Sequence, residues 1–250
     1  YYIFDHIEYP SLIRGGHNVY EVRVSDEPVY AQEYGIDVLI ALNKETVTLH
    51  HKEMKPTSVI LYDKEQFSLD DAGVDPAVEL YHLPLTQLIK EAGATKLMEN
   101  NVALGATMGM LGMDSAVLYA LIGEMFAKKG DEVISENKNA AQKGYEYTTS
   151  NKSQKLTQTL PKIDQKIPHM VVSGNEAVGM GAFAAGCNLY IAYPMTPSSG
   201  VLHFMAEYGD QYGTVVKHAE DEISVINMAI GASYAGARAM IGTSGGGFSL

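Results

Sequence analysis

The chain has 250 residues, 46% hydrophobic and 19% charged, with mean hydropathy close to zero, a soluble globular composition long enough for one large domain or two ordinary ones. A formal charge of −12 argues against a concentrated basic surface for nucleic acid, and no apolar run is long enough to cross a bilayer. The single cysteine, Cys187, excludes an intrachain disulfide framework and any iron–sulfur cluster held by this chain alone, and it fits a reducing, cytoplasmic setting.

Residues 1–150 alternate strand-like and helix-like patterns. The chain opens on Tyr1-Tyr2-Ile3-Phe4, strand-like and without an initiator Met. A tight polar turn follows at Tyr9–Asn18, where Arg14 and His17 beside Gly15 and Gly16 can meet an anion, although a structural turn explains the same residues. Val19–Val24 alternates as a half-exposed strand does. Ile36–Leu42 and Ser58–Tyr62 are short apolar runs of the buried-strand type. Between them Asn43 is placed to cap a helix running through Val47 and Leu49 to Met54, with Pro56 closing it. Neighbouring His50 and His51 lack a third ligand at a sensible spacing, so no metal site is expected. Helices are then expected over Leu85–Ala92, Asn101–Met113, Ser115–Lys129 and Asp131–Tyr145, the last capped by Asp131.

Residues 151–168 change character, with four Lys against one Asp, two Pro and no aromatic residue, and read as an exposed linker between domains. Residues 169–250 then repeat a helix–strand cycle. Helices are expected at Asn175–Ala185, Ser199–Tyr208 and Glu222–Tyr234, and strands at Leu189–Ala192, Thr214–Lys217 and Arg238–Thr243. Such alternation indicates a parallel sheet with covering helices. Cys187, after an Ala-rich run, reads as a small buried thiol. The chain stops at Leu250, just past a glycine turn that should lead into a helix, and so reads as a piece of a longer subunit.

Three turns in this second half follow strands, where an open parallel sheet binds its ligands. In Tyr193-Pro194-Met195-Thr196-Pro197-Ser198-Ser199, capping accounts for the serines, Ser198 or Ser199 starting the next helix. It does not account for Thr196, held between prolines where its hydroxyl and nearby amides can face a carboxylate. In His218-Ala219-Glu220-Asp221-Glu222 the plain reading of the acids is compensation of the helix dipole. The sharper one notes that the helix beyond is apolar on nearly every face and therefore buried, which draws Glu222 into a low-dielectric site where it can share a proton with a ligand nitrogen. In Thr243-Ser244-Gly245-Gly246-Gly247 three successive glycines favour a close backbone approach to a ligand or a neighbouring subunit. Ser173–Gly181 resembles a dinucleotide fingerprint only superficially. Its Gly174, Gly179 and Gly181 have the wrong spacing, and helix packing explains them better.

Taken together, YPMTPSS, HAEDEISVINMAIGASYAGARAM and TSGGGFSL resemble the alpha subunit of 2-oxoacid:ferredoxin oxidoreductases. Residues 1–150, through YPSLIRGGHN and IDVLIALNKETV, resemble the gamma domain fused ahead of it. The implied fold is α/β, a partial gamma-type domain (1–150), a linker (151–168) and the first part of a parallel-sheet domain (169–250) that holds the pyrimidine of thiamine diphosphate. A beta subunit would supply the diphosphate and Mg2+ site and the [4Fe-4S] chemistry, in an alpha–beta heterodimer or a dimer of heterodimers. The implied reaction decarboxylates a 2-oxoacid of the pyruvate or 2-oxoglutarate class, passing electrons to ferredoxin and the acyl group to coenzyme A. Glu222 falls on the family's cofactor-activating glutamate, Ser244, Gly245 and Gly246 on the cofactor side, and Tyr193, Pro194, Thr196 and Pro197 in the substrate turn. Arg14, Gly15, Gly16 and His17 are a further candidate contact for an anion or coenzyme A. Two departures stand out: Met195 replaces the usual Ile, and Gly246 stands where the family commonly has Pro. Two rival readings share the fold, a thiamine enzyme without ferredoxin and a non-catalytic scaffold subunit.

Overall fold

The computed structural model describes residues 1–8, 16–153, 156, 160 and 170–250. Their contacts divide the chain into two compact units, 1–166 and 167–250. Among the described residues no helix is long and apolar enough to cross a membrane.

The first unit starts with an antiparallel ribbon of β1 (Tyr2–Glu8) and β2 (Val19–Ser25), Tyr2 facing Ser25 and Glu8 facing Val19. A parallel sheet follows in the order β3 (Ile36–Ala41), β4 (Met54–Tyr62), β5 (Glu79–His82). Alternation along β4 sends Val59 and Leu61 to one face and Ile60 to the other, so the sheet is buried on both sides. The first face packs against α2 (Leu85–Glu91), α3 (Glu99–Met110) and α5 (Asp131–Ser150) through Leu88, Val102 and Ala140. The second packs against Val47 of α1 (Lys44–His50), with Leu69, Ala72 and Val78. Helix α4 (Ser115–Met125) adds Leu118 and Ile122 to a smaller cluster with Met108 and Ala141.

Several local expectations are corrected. Asn43 does cap α1, accepting from the Thr46 amide at 2.9 Å, but Pro56 does not close that helix. A single 3₁₀ turn, His51–Glu53, follows α1, and β4 already runs from Met54. Pairing with β3 jumps from Ile36↔Met54 to Val38↔Val59, and Pro56 sits in that irregular stretch, where the ladder needs no donor. Asp131 is the first residue of α5 rather than its cap; Gly130 holds the cap position with φ +95, a left-handed conformation open to glycine. Strand β5 has only four residues and no alternation long enough to announce it. Of residues 151–168, read as an exposed linker, Leu156 packs against the first core and the Leu160 amide donates to the Leu111 carbonyl at 3.0 Å.

In the second unit α6 (Gly174–Ala184) begins with a capping box between Ser173 and Glu176. Then come β6 (Leu189–Ala192), α7 (Ser199–Tyr208), β7 (Val215–His218), α8 (Glu222–Tyr234), β8 (Ala239–Gly242) and the short α9 (Gly245–Ser249). The three strands are parallel in the order β7-β6-β8. From β6, Tyr190 and Ala192 point to a core with Val201, Leu202 and Met205 of α7, while Ile191 points to the opposite face and meets Val225 and Ala229 of α8. The sheet is therefore covered on both sides, with β6 at its centre. The glycine of α6 whose role is packing is Gly179: a Cβ there would lie 2.3 Å from the Phe204 ring.

Candidate functional site

Because all three strands of the second unit run the same way, the turns that follow them emerge at one edge of the sheet. The structure joins these turns pairwise. Tyr193, after β6, places its ring 6.3 Å from that of His218 at the end of β7, and the Ala219 amide donates to the Ala192 carbonyl at 3.0 Å. Ser244, after β8, donates its hydroxyl to Met195 Sδ at 2.6 Å, tying the third turn to the first. Glu222, after β7, lies against Gly247 of α9: a Cβ built on that glycine would sit 2.4 Å from Glu222 Cγ and 2.7 Å from Oε1. Three segments remote in sequence thus converge.

The Tyr193–Ser198 turn is held from two sides. The Asn175 side-chain amide, from α6, donates to the Pro197 carbonyl at 3.3 Å, across a gap that only a glycine at position 200 leaves open. Ser198 occupies the cap position of α7, but its hydroxyl donates back to the Met195 carbonyl at 2.8 Å instead of capping the helix, which corrects the expected role of the serines. Its αR backbone (φ −74, ψ −16), unlike the extended one of a capping residue, accounts for this. The Thr196–Pro197 peptide is cis. Pro194, Thr196 and Pro197 are exposed and Tyr193 is half-buried.

The two acids that open α8 have separate fates. Asp221 is the cap, its carboxylate accepting from the Ser224 amide at 2.6 Å. That hydrogen bond to backbone holds its carboxyl below the ordinary carboxylate range. Glu222 is turned inward. Its Oε1 is buried with no hydrogen-bond partner, one of two such side-chain atoms among the described residues, the other being the Tyr190 hydroxyl. Leaving a buried carboxylate oxygen unmatched costs on the order of 1–3 kcal/mol.

Other expectations meet a different outcome. Helix α8 is not buried on nearly every face: Val225 and Ala229 face the sheet, while Ile223, Ile226, Ile230 and Tyr234 form a stripe open to solvent in the isolated chain. A three-stranded sheet with the helix on one side covers only one stripe of it. The glycine run divides. Gly245 and Gly246 are exposed, a Cβ on either meeting nothing within 4 Å, and Gly247 alone of the three makes a close approach, to side chains of this same chain. Asn175, which the sequence offered no signal for, and Thr243 and Gly247, named only within the glycine motif, lie against these turns. Arg14 and Gly15 lie outside the described residues. Gly16 is exposed with φ +98, and His17 is engaged by His50, their Nε2 atoms 3.0 Å apart, with His50 Nδ1 3.1 Å from Glu53 Oε1. Among the described residues no group of three or more His, Cys, Asp or Glu is placed to hold a metal ion.

Comparison with known proteins places both units in one family. Residues 1–147 match the family described as pyruvate ferredoxin/flavodoxin oxidoreductase, and residues 180–250 match "Pyruvate flavodoxin/ferredoxin oxidoreductase, thiamine diP-bdg". Subunit alpha of 2-oxoacid:ferredoxin oxidoreductase 2 from Aeropyrum pernix is 27% identical over 297 residues, covering 97% of this chain and 46% of the relative. The 2-oxoglutarate synthase subunit KorA of Archaeoglobus fulgidus is 54% identical over 80 residues, 32% of this chain and 23% of its own. Among solved structures, 2-oxoglutarate:ferredoxin oxidoreductase from Magnetococcus marinus, with 2-oxoglutarate, coenzyme A and succinyl-CoA bound, superposes with TM-score 0.89 at 31% identity, covering 99% of this chain and 43% of that one. The chain spans about half the length of the full-length curated relatives it matches. With both units matched, it belongs to the pyruvate ferredoxin/flavodoxin oxidoreductase family.

Proposed function

We propose that the chain is the alpha-type part of an enzyme that oxidatively decarboxylates a 2-oxoacid to an acyl-CoA and carbon dioxide, with ferredoxin as electron acceptor. The observation that carries this reading is the Glu222 carboxylate, its Oε1 sealed from water and left without a partner where three strand-end turns converge. An orphaned buried acceptor of this kind fits the pyrimidine of thiamine diphosphate, which needs an acid at a ring nitrogen. When bound, that cofactor supplies the electron sink that lets a 2-oxoacid lose carbon dioxide.

The roles of this chain's residues follow from their chemistry. Glu222 shares a proton with the ring nitrogen, in surroundings where no competing donor or water reaches Oε1. Thr196, exposed on the turn after β6 beside Tyr193, Pro194 and Pro197, offers a hydroxyl to the substrate carboxylate and orients it. Ser244, through Met195, ties that turn to the one that carries Gly245 and Gly246, whose bare backbone borders the cofactor. Mg2+ and a [4Fe-4S] cluster are assigned in this reading to a beta subunit, since a chain with one cysteine cannot by itself ligate such a cluster. The apolar stripe left open on α8 is a surface of the sort that a partner polypeptide covers, consistent with an alpha–beta heterodimer or a pair of them. A cytoplasmic setting fits this chemistry.

The test is co-purification of the chain with its partner subunit. Decarboxylation of pyruvate and of 2-oxoglutarate is then assayed with coenzyme A and a low-potential acceptor. Glu222→Gln is expected to lower kcat about 10²-fold or more while the complex stays assembled and folded. Full turnover in that variant would remove the assignment.

A further inference from the structure

We infer that Gly247 is a positioning residue for Glu222, its missing side chain being what leaves the acid its slot. This rests on the reading of Glu222 given above and extends it to a residue with no chemistry of its own. Three facts of the structure converge on it. First, a Cβ at Gly247 would fall 2.2 Å from Thr243 Oγ1, 2.4 Å from Glu222 Cγ and 2.7 Å from Glu222 Oε1, all closer than real Cβ contacts come. Second, Gly247 is buried and does not have a positive φ, so its conformation suits any residue and space is the only reason for glycine. Third, the atom it abuts is the same Oε1 that, among the described residues, has no hydrogen-bond partner, so no hydrogen bond fixes that oxygen in place.

The identity of the clashing atoms decides the consequence. Where glycines pack against backbone, as at Gly105 and Gly144, an added methyl group must break the fold. At Gly247 the three nearest atoms, Thr243 Oγ1 and Glu222 Cγ and Oε1, belong to side chains, so it is these that must shift rather than the main chain. A methyl group is therefore accommodated by moving Glu222 and Thr243 rather than the main chain, and alanine is a better helix former than glycine. What it cannot leave unchanged is the carboxylate. The run of three glycines thus divides by function, Gly247 serving the acid on α8 and Gly245 and Gly246 facing open space.

The experiment compares the wild-type complex with its partner subunit against Gly247→Ala, Glu222→Gln, their double variant, and Gly231→Ala, where a Cβ on α8 would meet no other group within 4 Å. Three quantities are read: Tm, thiamine diphosphate affinity by calorimetric titration, and the near-ultraviolet circular dichroism of the bound cofactor, with kcat beside them. Gly247→Ala is expected to keep or raise Tm, weaken cofactor binding, alter the dichroism, and lower kcat by about 10²-fold, the penalty of misplacing a catalytic group by an ångström or so. Gly231→Ala should match wild type. If the glycine acts through the acid, the double variant binds cofactor no worse than Glu222→Gln alone. Wild-type affinity and dichroism in Gly247→Ala, with Glu222→Gln impaired, overturn the positioning role alone. Additive losses, or a fall in Tm that tracks lost activity, overturn it in favour of a structural role. Wild-type behaviour in both single variants removes the assignment of Glu222 itself.

Discussion

Asp221 and Glu222 are adjacent carboxylates with opposite duties, and the backbone separates them. Asp221 is extended, with φ −160 and ψ 170, so its side chain folds back onto the first turn of α8 and accepts from Ser224. Glu222 is the first helical residue, and its side chain is carried the other way, towards Gly247. Because the hydrogen bonds to the backbone and side chain of Ser224 lower the folded-state pKa of Asp221, its stabilising contribution is complete above the unfolded value, about 4, and is lost as pH falls through the folded one. Asp221→Asn keeps a capping oxygen but removes that charge. The variant should melt below wild type at pH 7, and the gap in Tm should close as pH is lowered through the carboxylate range. A gap that stays constant down to the acid limit would rule out this linkage. The pentapeptide singled out Glu222 as the acid drawn inward; that Asp221 is the cap depends on the dihedral angles at the turn.

Among the elements, α3 and α5 show what glycine does in a different setting. A Cβ on Gly105 would come 1.9 Å from the Ala141 carbonyl oxygen, and one on Gly144 equally close to the Val102 carbonyl oxygen, so these two helices touch backbone to backbone. Thr148 completes the seam by donating to the Ala106 carbonyl at 2.8 Å. Neither backbone can yield locally. Gly144→Ala is expected to destabilise the protein by about 2 kcal/mol or more, measured by denaturant unfolding, although alanine is the better helix former. Most of these helices and strands were visible in hydrophobic spacing. The glycines at the seam were not, since close approach is a property of two helices together. Pro56 makes the same point in reverse. In sequence it marks an end to α1, whereas in the structure the irregular pairing of β3 with β4 accommodates it inside a strand.

For the whole molecule, the two units have separate hydrophobic cores: Val59, Leu61 and Val102 belong to one, Tyr190, Leu202 and Met205 to the other. Units with their own cores unfold as their own cooperative steps. Scanning calorimetry of the full chain should therefore resolve two transitions. Gly144→Ala should lower one, and Gly179→Val, which drives a side chain into Phe204, should lower the other. A single transition shifted by both variants would contradict this division. By itself the sequence determined the alternation of strands and helices, the change of character near residue 151, and the three polar turns that follow strands, because hydrophobic period and turn chemistry are local properties. Only the tertiary structure decided that β6 lies between β7 and β8, that Met195 meets Ser244, that His17 meets His50, and that one glycine of three faces Glu222. Those are contacts between segments tens of residues apart, and strand order and crossover geometry, which no local pattern encodes, set them.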